Sequence, residues 1–247
     1  MKTTQRYCVL DMIRGFALIN MIIYHALWDV VYIFRANFSW YGSRGLYIWQ
    51  QFICCTFILL SGFCFSLGSK KLRRGLIVLA ASCAVTVATL LFMPENTVLF
   101  GILSLIGSAT LMMIPLDRLF GRVNMYAGAA LSLFGFILTK NIGRGYIGVG
   151  KFMLWLPRGM YSNLFTAYLG FPAGSFSSGD YFPILPWLFL FITGYFLHRI
   201  FVKNGWMCCL GHKTLAPLEF CGRHSLLIYL LHQPIIYTVL TLAYKFA

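Results

Sequence analysis

YCVLDMIRGFALINMIIYHALWDVVYIF (Tyr7–Phe34) is apolar over a length that can cross a bilayer, which takes about 20 residues. It has a basic start. It is nonetheless too long for the apolar core of a signal peptide and lacks a small-residue cleavage pattern, so it is expected to be retained as a helix. Six more stretches qualify: Leu46–Leu67, Gly75–Phe92, Val98–Ile114, Val123–Leu138, Phe182–Phe201 and Ser225–Tyr244. Of 247 residues, 60% are hydrophobic and 11% charged, against about 45–50% and about 25% in soluble domains. A soluble core of this length could not hide so much apolar surface. The expected fold is an all-α polytopic membrane protein, a bundle of about seven transmembrane helices forming one domain over residues 1–247.

The chain carries 20 Lys and Arg against 6 Asp and Glu, a net charge of +14. No nucleic-acid module accompanies these cations, and nucleic acid is not an expected partner. Membrane proteins gather Lys and Arg in cytoplasmic loops, where anionic lipid attracts them. With the amino terminus inside, the inner face receives Lys2, Arg6, Lys70, Lys71, Arg73, Arg74, Arg118, Arg122, Arg199, Lys203, Lys213 and Arg223. The outer face receives the smaller share: Arg35, Arg44, Lys140, Arg144, Lys151, Arg158 and Lys245. The orientation is therefore amino terminus cytoplasmic and carboxyl terminus outside, in a plasma membrane.

The longest connection, Thr139–Tyr181, then lies outside. Its Gly, Pro and Ser content is loop and turn chemistry. Within it, Tyr146–Leu169 is rich in apolar residues but has Lys151, Pro157 and Arg158 at its middle. That pattern predicts a segment on the membrane surface, or partly re-entrant, rather than a span. Phe152, Trp155, Tyr161, Phe165, Tyr168 and Phe171 argue for a packed lid. No internal repeat is visible, which counts against transporters built on inverted halves.

Ionisable groups within a membrane helix cost roughly 2.5–3.5 kcal/mol each, so each asks for a reason. The first helix holds Asp11, Arg14, His25 and Asp29. At about 100° per residue, Arg14 lies about 60° and His25 about 40° from Asp11, and Asp29 returns to it, making one stripe. Asp11 and Arg14, three apart, form either a structural salt bridge or a guanidinium fork for a phosphate. His25 and Asp29, four apart, form either a general base with its orienting carboxylate or a solvated pair beside the interface anchor Trp28.

His232 sits in the last helix before Gln233 and Pro234, and Pro234 should kink that helix and free a carbonyl near Leu230. His232 is either a site residue or the partner of that carbonyl. His224 beside Arg223, His198 and His212 are read as inner-loop residues. Asp180 suits the start of the sixth span as a cap, with Pro183, Pro186 and Trp187 shaping that start. Ser61-Gly62 and Gly101 suit close helix packing. The eight Cys include adjacent pairs without CxxC spacing, and there is no metal cluster, P-loop, GxSxG or HExxH pattern.

Four segments carry a resemblance: LDMIRGFALINMIIYH (Leu10–His25) running into Trp28-Asp29, FGILSLIG (Phe100–Gly107), DYFPILPWLFLFITGYFL (Asp180–Leu197) and GRHSLLIYLLHQP (Gly222–Pro234). Together they resemble the heparan-alpha-glucosaminide N-acetyltransferase catalytic-domain-like family, including its small bacterial members. The resemblance implies a multi-helix acyltransferase that moves an acetyl group from cytosolic acetyl-CoA to an amine or hydroxyl on the far side, through a histidine inside the membrane region. Asp11, Arg14 and Gly15 match the family's LDxxRG start. His25 matches the polar position after it. Ser104 departs from the many bacterial relatives that have His there. The chain is shorter than the lysosomal enzymes, so heparan itself is a poor guess for the acceptor.

The combined expectation assigns catalysis to His25, Asp29 and His232, and acyl-CoA binding to Asp11, Arg14, Arg73, Arg74 and Arg223. Acetyl-CoA is the co-substrate and no metal is called for. Partners are the bilayer, acyl-CoA, a glycan or small-molecule acceptor and, as an open alternative, a second copy in a homodimer. A transporter with the His–Asp stripe as proton relay, or a non-catalytic structural membrane protein, remains the competing class.

Overall fold

The computed structural model describes residues 7–212 and 215–246. Lys2, Arg6 and Lys213, three of the inner-face cations, lie outside the described residues. The elements run α1 (Cys8–Tyr32), α2 (Arg44–Phe63), α3 (Lys71–Phe92), α4 (Ile102–Phe120), α5 (Met125–Thr139), β1 (Tyr146–Val149), β2 (Phe152–Trp155), α6 (Leu164–Leu169), α7 (Ile184–Lys203), α8 (Ala216–Arg223) and α9 (Ser225–Phe246). Among the described residues, seven helices are long and apolar enough to cross a membrane: α1, α2, α3, α4, α5 with the turn to Arg144, α7 and α9. These are the seven expected spans, and the chain is an all-α multi-pass membrane protein.

Two compact units divide the chain, Met1–Phe57 with Gly205–Ala247, and Ile58–Asn204. In the first unit α8 packs along α1, and α9 also meets α1. Glycine makes the first contact. A Cβ at Gly15 would land on the Leu218 carbonyl oxygen, and one at Gly222 on the Asp11 carbonyl oxygen. The backbones therefore touch, as small residues allow between membrane helices. Leu18, Met21 and Ile53 form the buried core, with Trp49, Phe57 and Ile228 packed against it. Trp49 Nε1 donates to Asn20 Oδ1 at 3.0 Å and ties α2 to α1.

In the second unit α3 packs on α4, and α5 on α7. Gly62 meets the Phe191 backbone, which makes Ser61-Gly62 the close approach expected of it. The hydroxyls of Ser132 and Thr193 bond at 2.9 Å across α5 and α7.

Several helix boundaries differ from expectation, and one helix is new. Helix α3 starts at Lys71 rather than Gly75, so its first turn carries cations at the positive end of the helix dipole. Lys71 Nζ offsets this by pairing with Asp117 Oδ2 at 2.7 Å, and Arg74 donates to the Cys64 carbonyl at 3.3 Å. Helix α4 runs through Pro115 to Phe120 instead of stopping at Ile114. Proline removes one intrahelical donor, but side chains hold the last turn. Tyr195 donates to Asp117 Oδ1 at 2.7 Å, and Arg199 donates to the carbonyls of Phe120, Gly121 and Val123. Helix α8, unforeseen, is a separate eight-residue element.

Asp180 caps a helix, though not the one it precedes. Its Oδ2 accepts from Ile102 N at 3.1 Å, at the start of α4. Ser178 Oγ accepts from Leu99 N, and Phe182 N donates to the Phe100 carbonyl. The SGDYF and LFGIL segments are thus stitched together, and Gly101 leaves room for the carboxylate rather than for a helix. Asp180→Ala is expected to lower stability by about 1 kcal/mol, as loss of a cap does, and to speed amide exchange at Ile102 in particular.

The segment Tyr146–Leu169 folds as an antiparallel hairpin of β1 and β2, a short turn and the six-residue α6. It contains no helix long enough to span. Gly150, at φ 62°, supplies the positive φ that a two-residue hairpin turn requires. The lid expectation holds for one half only. Tyr161 donates to the Ile142 carbonyl at 2.6 Å and Tyr168 to Ser108 Oγ at 2.5 Å, whereas Phe152, Trp155 and Phe165 are exposed.

Candidate functional site

The carboxyl-terminal half of the polar stripe on α1, His25 and Asp29, faces α9 in the first unit. The sequence suggested that Asp29, one turn on, orients His25. The carboxylate instead turns across to α9, where Gln233 Nε2 donates to Oδ1 at 2.7 Å and to Oδ2 at 2.9 Å. Asp29 is fully buried. A carboxylate drawn out of water needs a donor, and the facing helix brings one within reach. His25 turns to the neighbouring polar side chain of α9, His232. Its ring centroid lies 5.0 Å from that of His232, at 62°.

Two cross-helix pairs thus replace one pair along the helix. His25 faces His232, and Asp29 holds Gln233. The sequence named Gln233 only as a neighbour of Pro234. The signal that could have found it is the run Tyr229, His232, Gln233 at helical spacing, a polar face amid the apolar residues Leu226–Ile236.

His232 is 8% exposed. Its Nδ1 lies 2.5 Å from the Tyr229 carbonyl oxygen. That is one residue before Leu230, whose carbonyl Pro234 deprives of a donor, and α9 continues as one helix past the proline. A carbonyl oxygen only accepts, so Nδ1 carries the proton and donates it. Nε2 then keeps its lone pair. Among the described residues Nε2 has no hydrogen-bond partner, although it is buried. An imidazole held by its Nδ1–H with a bare Nε2 is arranged as a base or nucleophile.

One turn away on α1 lies a cavity of about 190 Å³. Tyr24, Trp28 and Tyr32 of α1 line it, with Tyr41 and Ser43 of the following loop and Tyr47 and Gln50 of α2. The Tyr24 ring stands edge-on to His25 at 6.1 Å. Among the described residues, the buried Tyr41 hydroxyl has no hydrogen-bond partner. Burial, with Tyr24, Tyr32 and Asp29 nearby, pushes its pKa up, so it stays a donor at neutral pH. Trp28, expected as an interface anchor, is a wall of this cavity.

At the opposite end of α1, Arg14 pairs with Asp11 at 3.0 Å and also donates to the Gly222 carbonyl at 3.5 Å. Arg223 pairs with Glu219 at 2.6 Å. The α1–α8 contact therefore brings Asp11, Arg14 and Arg223 to one end of the first unit. Arg73 and Arg74 belong to the second unit, in the first turn of α3. His224 packs on Phe220 at 4.6 Å. His198 is no loop residue. It is buried inside the α7 span, its ring edge-on to Phe63. Ser104 is buried in α4. Asp117, which no sequence pattern singled out, is the acid that joins α3, α4 and α7.

Among the described residues, no group of three or more His, Cys, Asp and Glu is placed to hold a metal ion. No curated protein and no solved structure matches the chain. The family model for the catalytic region of heparan-alpha-glucosaminide N-acetyltransferase matches residues 6–234, which include all four polar residues of the α1–α9 site and the Asp11–Arg14 pair, and the chain belongs to that family of membrane acetyltransferases.

Proposed function

We propose that the protein transfers an acetyl or other short acyl group from cytosolic acyl-CoA to a hydroxyl or amine of an acceptor, a sugar or glycan, at the outer face of a plasma membrane. The observation that carries this reading is the buried His232 Nε2, unpartnered and opposite His25. The acceptor gives its proton to Nε2 as it attacks the thioester carbonyl. The carbon–sulfur bond breaks, the CoA thiolate leaves, and the proton passes to it. The second imidazole, His25, faces the charge that builds on His232. Gln233 and Asp29 lock the two helices one residue and one turn farther on. The cavity of Tyr24, Trp28, Tyr41 and Gln50 offers aromatic faces and hydroxyl and amide groups to the acceptor.

Arg14 and Arg223 lie towards the amino-terminal end of α1, the side that the charge distribution favours as cytosolic. A guanidinium fork suits the phosphates of CoA. Arg14→Ala is expected to weaken acetyl-CoA binding about tenfold or more, because charge-assisted bonds each contribute roughly 1.5–3 kcal/mol, while His25→Ala leaves binding unchanged. Thermal shift of the purified protein on adding acetyl-CoA reads this.

The deciding experiment measures free thiol released from acetyl-CoA by protein in vesicles, with amino sugars and simple alcohols as acceptors. Acceptor-dependent release supports the transferase. Acceptor flux without thiol release would establish a transporter in its place.

A further inference from the structure

We infer that the β1–β2 hairpin is a membrane anchor, lying in the headgroup layer of the leaflet where α5 ends, with its cations on anionic headgroups.

Successive side chains of a strand point to opposite faces. Phe152, Met153, Leu154 and Trp155 of β2 are all exposed, at 89%, 47%, 68% and 69%. Neither face of β2 is therefore covered by the described residues. The β1 strand is the inner one and packs against α5. The hairpin starts seven residues after α5 ends at Thr139, so it stands where that span leaves the membrane. Leu164 and Phe165 of α6 are also exposed, at the next turn of the same segment. This much apolar surface, free of protein partners among the described residues, calls for an apolar cover.

Charge selects the occupant. Between Arg118 and Gly179 the sequence has no Asp or Glu, while Lys140, Arg144, Lys151 and Arg158 frame the hairpin, with Lys151 at its tip. Two copies meeting hairpin to hairpin would bring like charges together. Anionic lipid headgroups receive the same cations favourably. The backbone sets the depth. The sheet has two strands only, so each leaves one edge of N–H and C=O groups unpaired. Such edges are not tolerated in the hydrocarbon core. The hairpin therefore stays among headgroups and dips its side chains, with Tyr146 and Trp155 paired at 5.4 Å as the interfacial aromatics.

The test uses the whole protein in vesicles containing phosphatidylglycerol. Trp155 is one of six indoles, and the difference between wild type and Trp155→Phe isolates its emission. Lipids brominated near the carbonyl end of the acyl chain should quench it about twice as strongly as lipids brominated near the chain end. Lys151→Glu should cut that quenching in anionic vesicles and leave it unchanged in phosphatidylcholine alone. Quenching by aqueous acrylamide but by neither lipid would overturn the proposal, since the hairpin would then stand in water. Shielding from both quenchers, with a fall in oligomeric mass for Phe152→Ser/Trp155→Ser, would also overturn it and make a second copy the occupant. Thiol release plays no part in these readouts, so they stand apart from the transferase reading.

Discussion

Replacing His232 with alanine cuts acceptor-dependent CoA release by about a hundred- to ten-thousandfold, the range expected for removing a general base. The expectation rests on one atom. Nδ1–H is committed to the Tyr229 carbonyl, so Nε2 is the side that can take a proton. Alanine removes that lone pair and keeps the helix. The Tyr229 carbonyl can still accept from the backbone of α9, so the loss is chemical before it is structural. Acetyl-CoA affinity should hold within about twofold, because a base contributes in the transition state and not to ground-state binding. His232→Gln tests the role of the ring. Glutamine can fill much of the space but takes no proton at neutral pH, so it should be as inactive as alanine. Thiol release in the presence of acceptor, measured beside the acetyl-CoA thermal shift, separates the two steps. Full activity in His232→Ala would remove His232 from the chemistry and leave His25 as the only imidazole of the α1–α9 site.

A second imidazole 5.0 Å away sharpens this argument. Two positively charged rings at that distance would repel each other. The proton taken from the acceptor therefore has reason to leave His232 quickly, toward the departing thiolate. A carboxylate on His25, as the one-turn spacing first suggested, would have done the opposite and stabilised an imidazolium. By engaging Asp29, Gln233 keeps that negative charge one turn away from the His pair.

The seven spans were legible because each needs only a local apolar run of bilayer length. The site was legible in its members on α1 and in His232, since an ionisable group in such a run is conspicuous. Its pairing was not. Asp29 and Gln233 are 204 positions apart, and spacing along α1 favours the wrong partner for Asp29. Helix α8 was invisible for a different reason. Eight residues with Glu219 and Arg223 among them show neither span length nor a long period, and the helix exists because α1 supplies its other side. The strands were readable in principle. YIGVGKFMLW has two apolar runs around a Gly-Lys turn, but its length and its charges drew attention to the membrane surface instead. Asp180 sits beside α7 in sequence and caps α4 in space, a partner set by the docking of two loops that no local rule relates.

Putting valine at Gly222 should abolish the first unit's α1–α8 contact and cost about 3 kcal/mol or more, at the upper end for overpacking because the obstacle is backbone. The Cβ would fall on the Asp11 carbonyl oxygen, with the Asp11 Cα 3.0 Å away. No rotamer change relieves a backbone clash, so α8 must move off α1. An eight-residue helix does not persist alone, since isolated helices below about 12–15 residues are marginal. Its loss removes the Arg14 bond to the Gly222 carbonyl and displaces Arg223 from its pair with Glu219. Acetyl-CoA binding should therefore disappear together with stability, and the apparent unfolding midpoint in detergent should fall by about 6–12 °C. Gly15→Val, facing Leu218 from the other helix, should behave alike. Gly159→Ala and Gly174→Ala are the controls: a Cβ at either meets nothing within 4 Å, and neither should move the midpoint. A wild-type midpoint for Gly222→Val would mean that α1 and α8 are not in backbone contact in the folded protein. It would also leave Arg14 and Arg223 without the scaffold that brings them to one end of the unit.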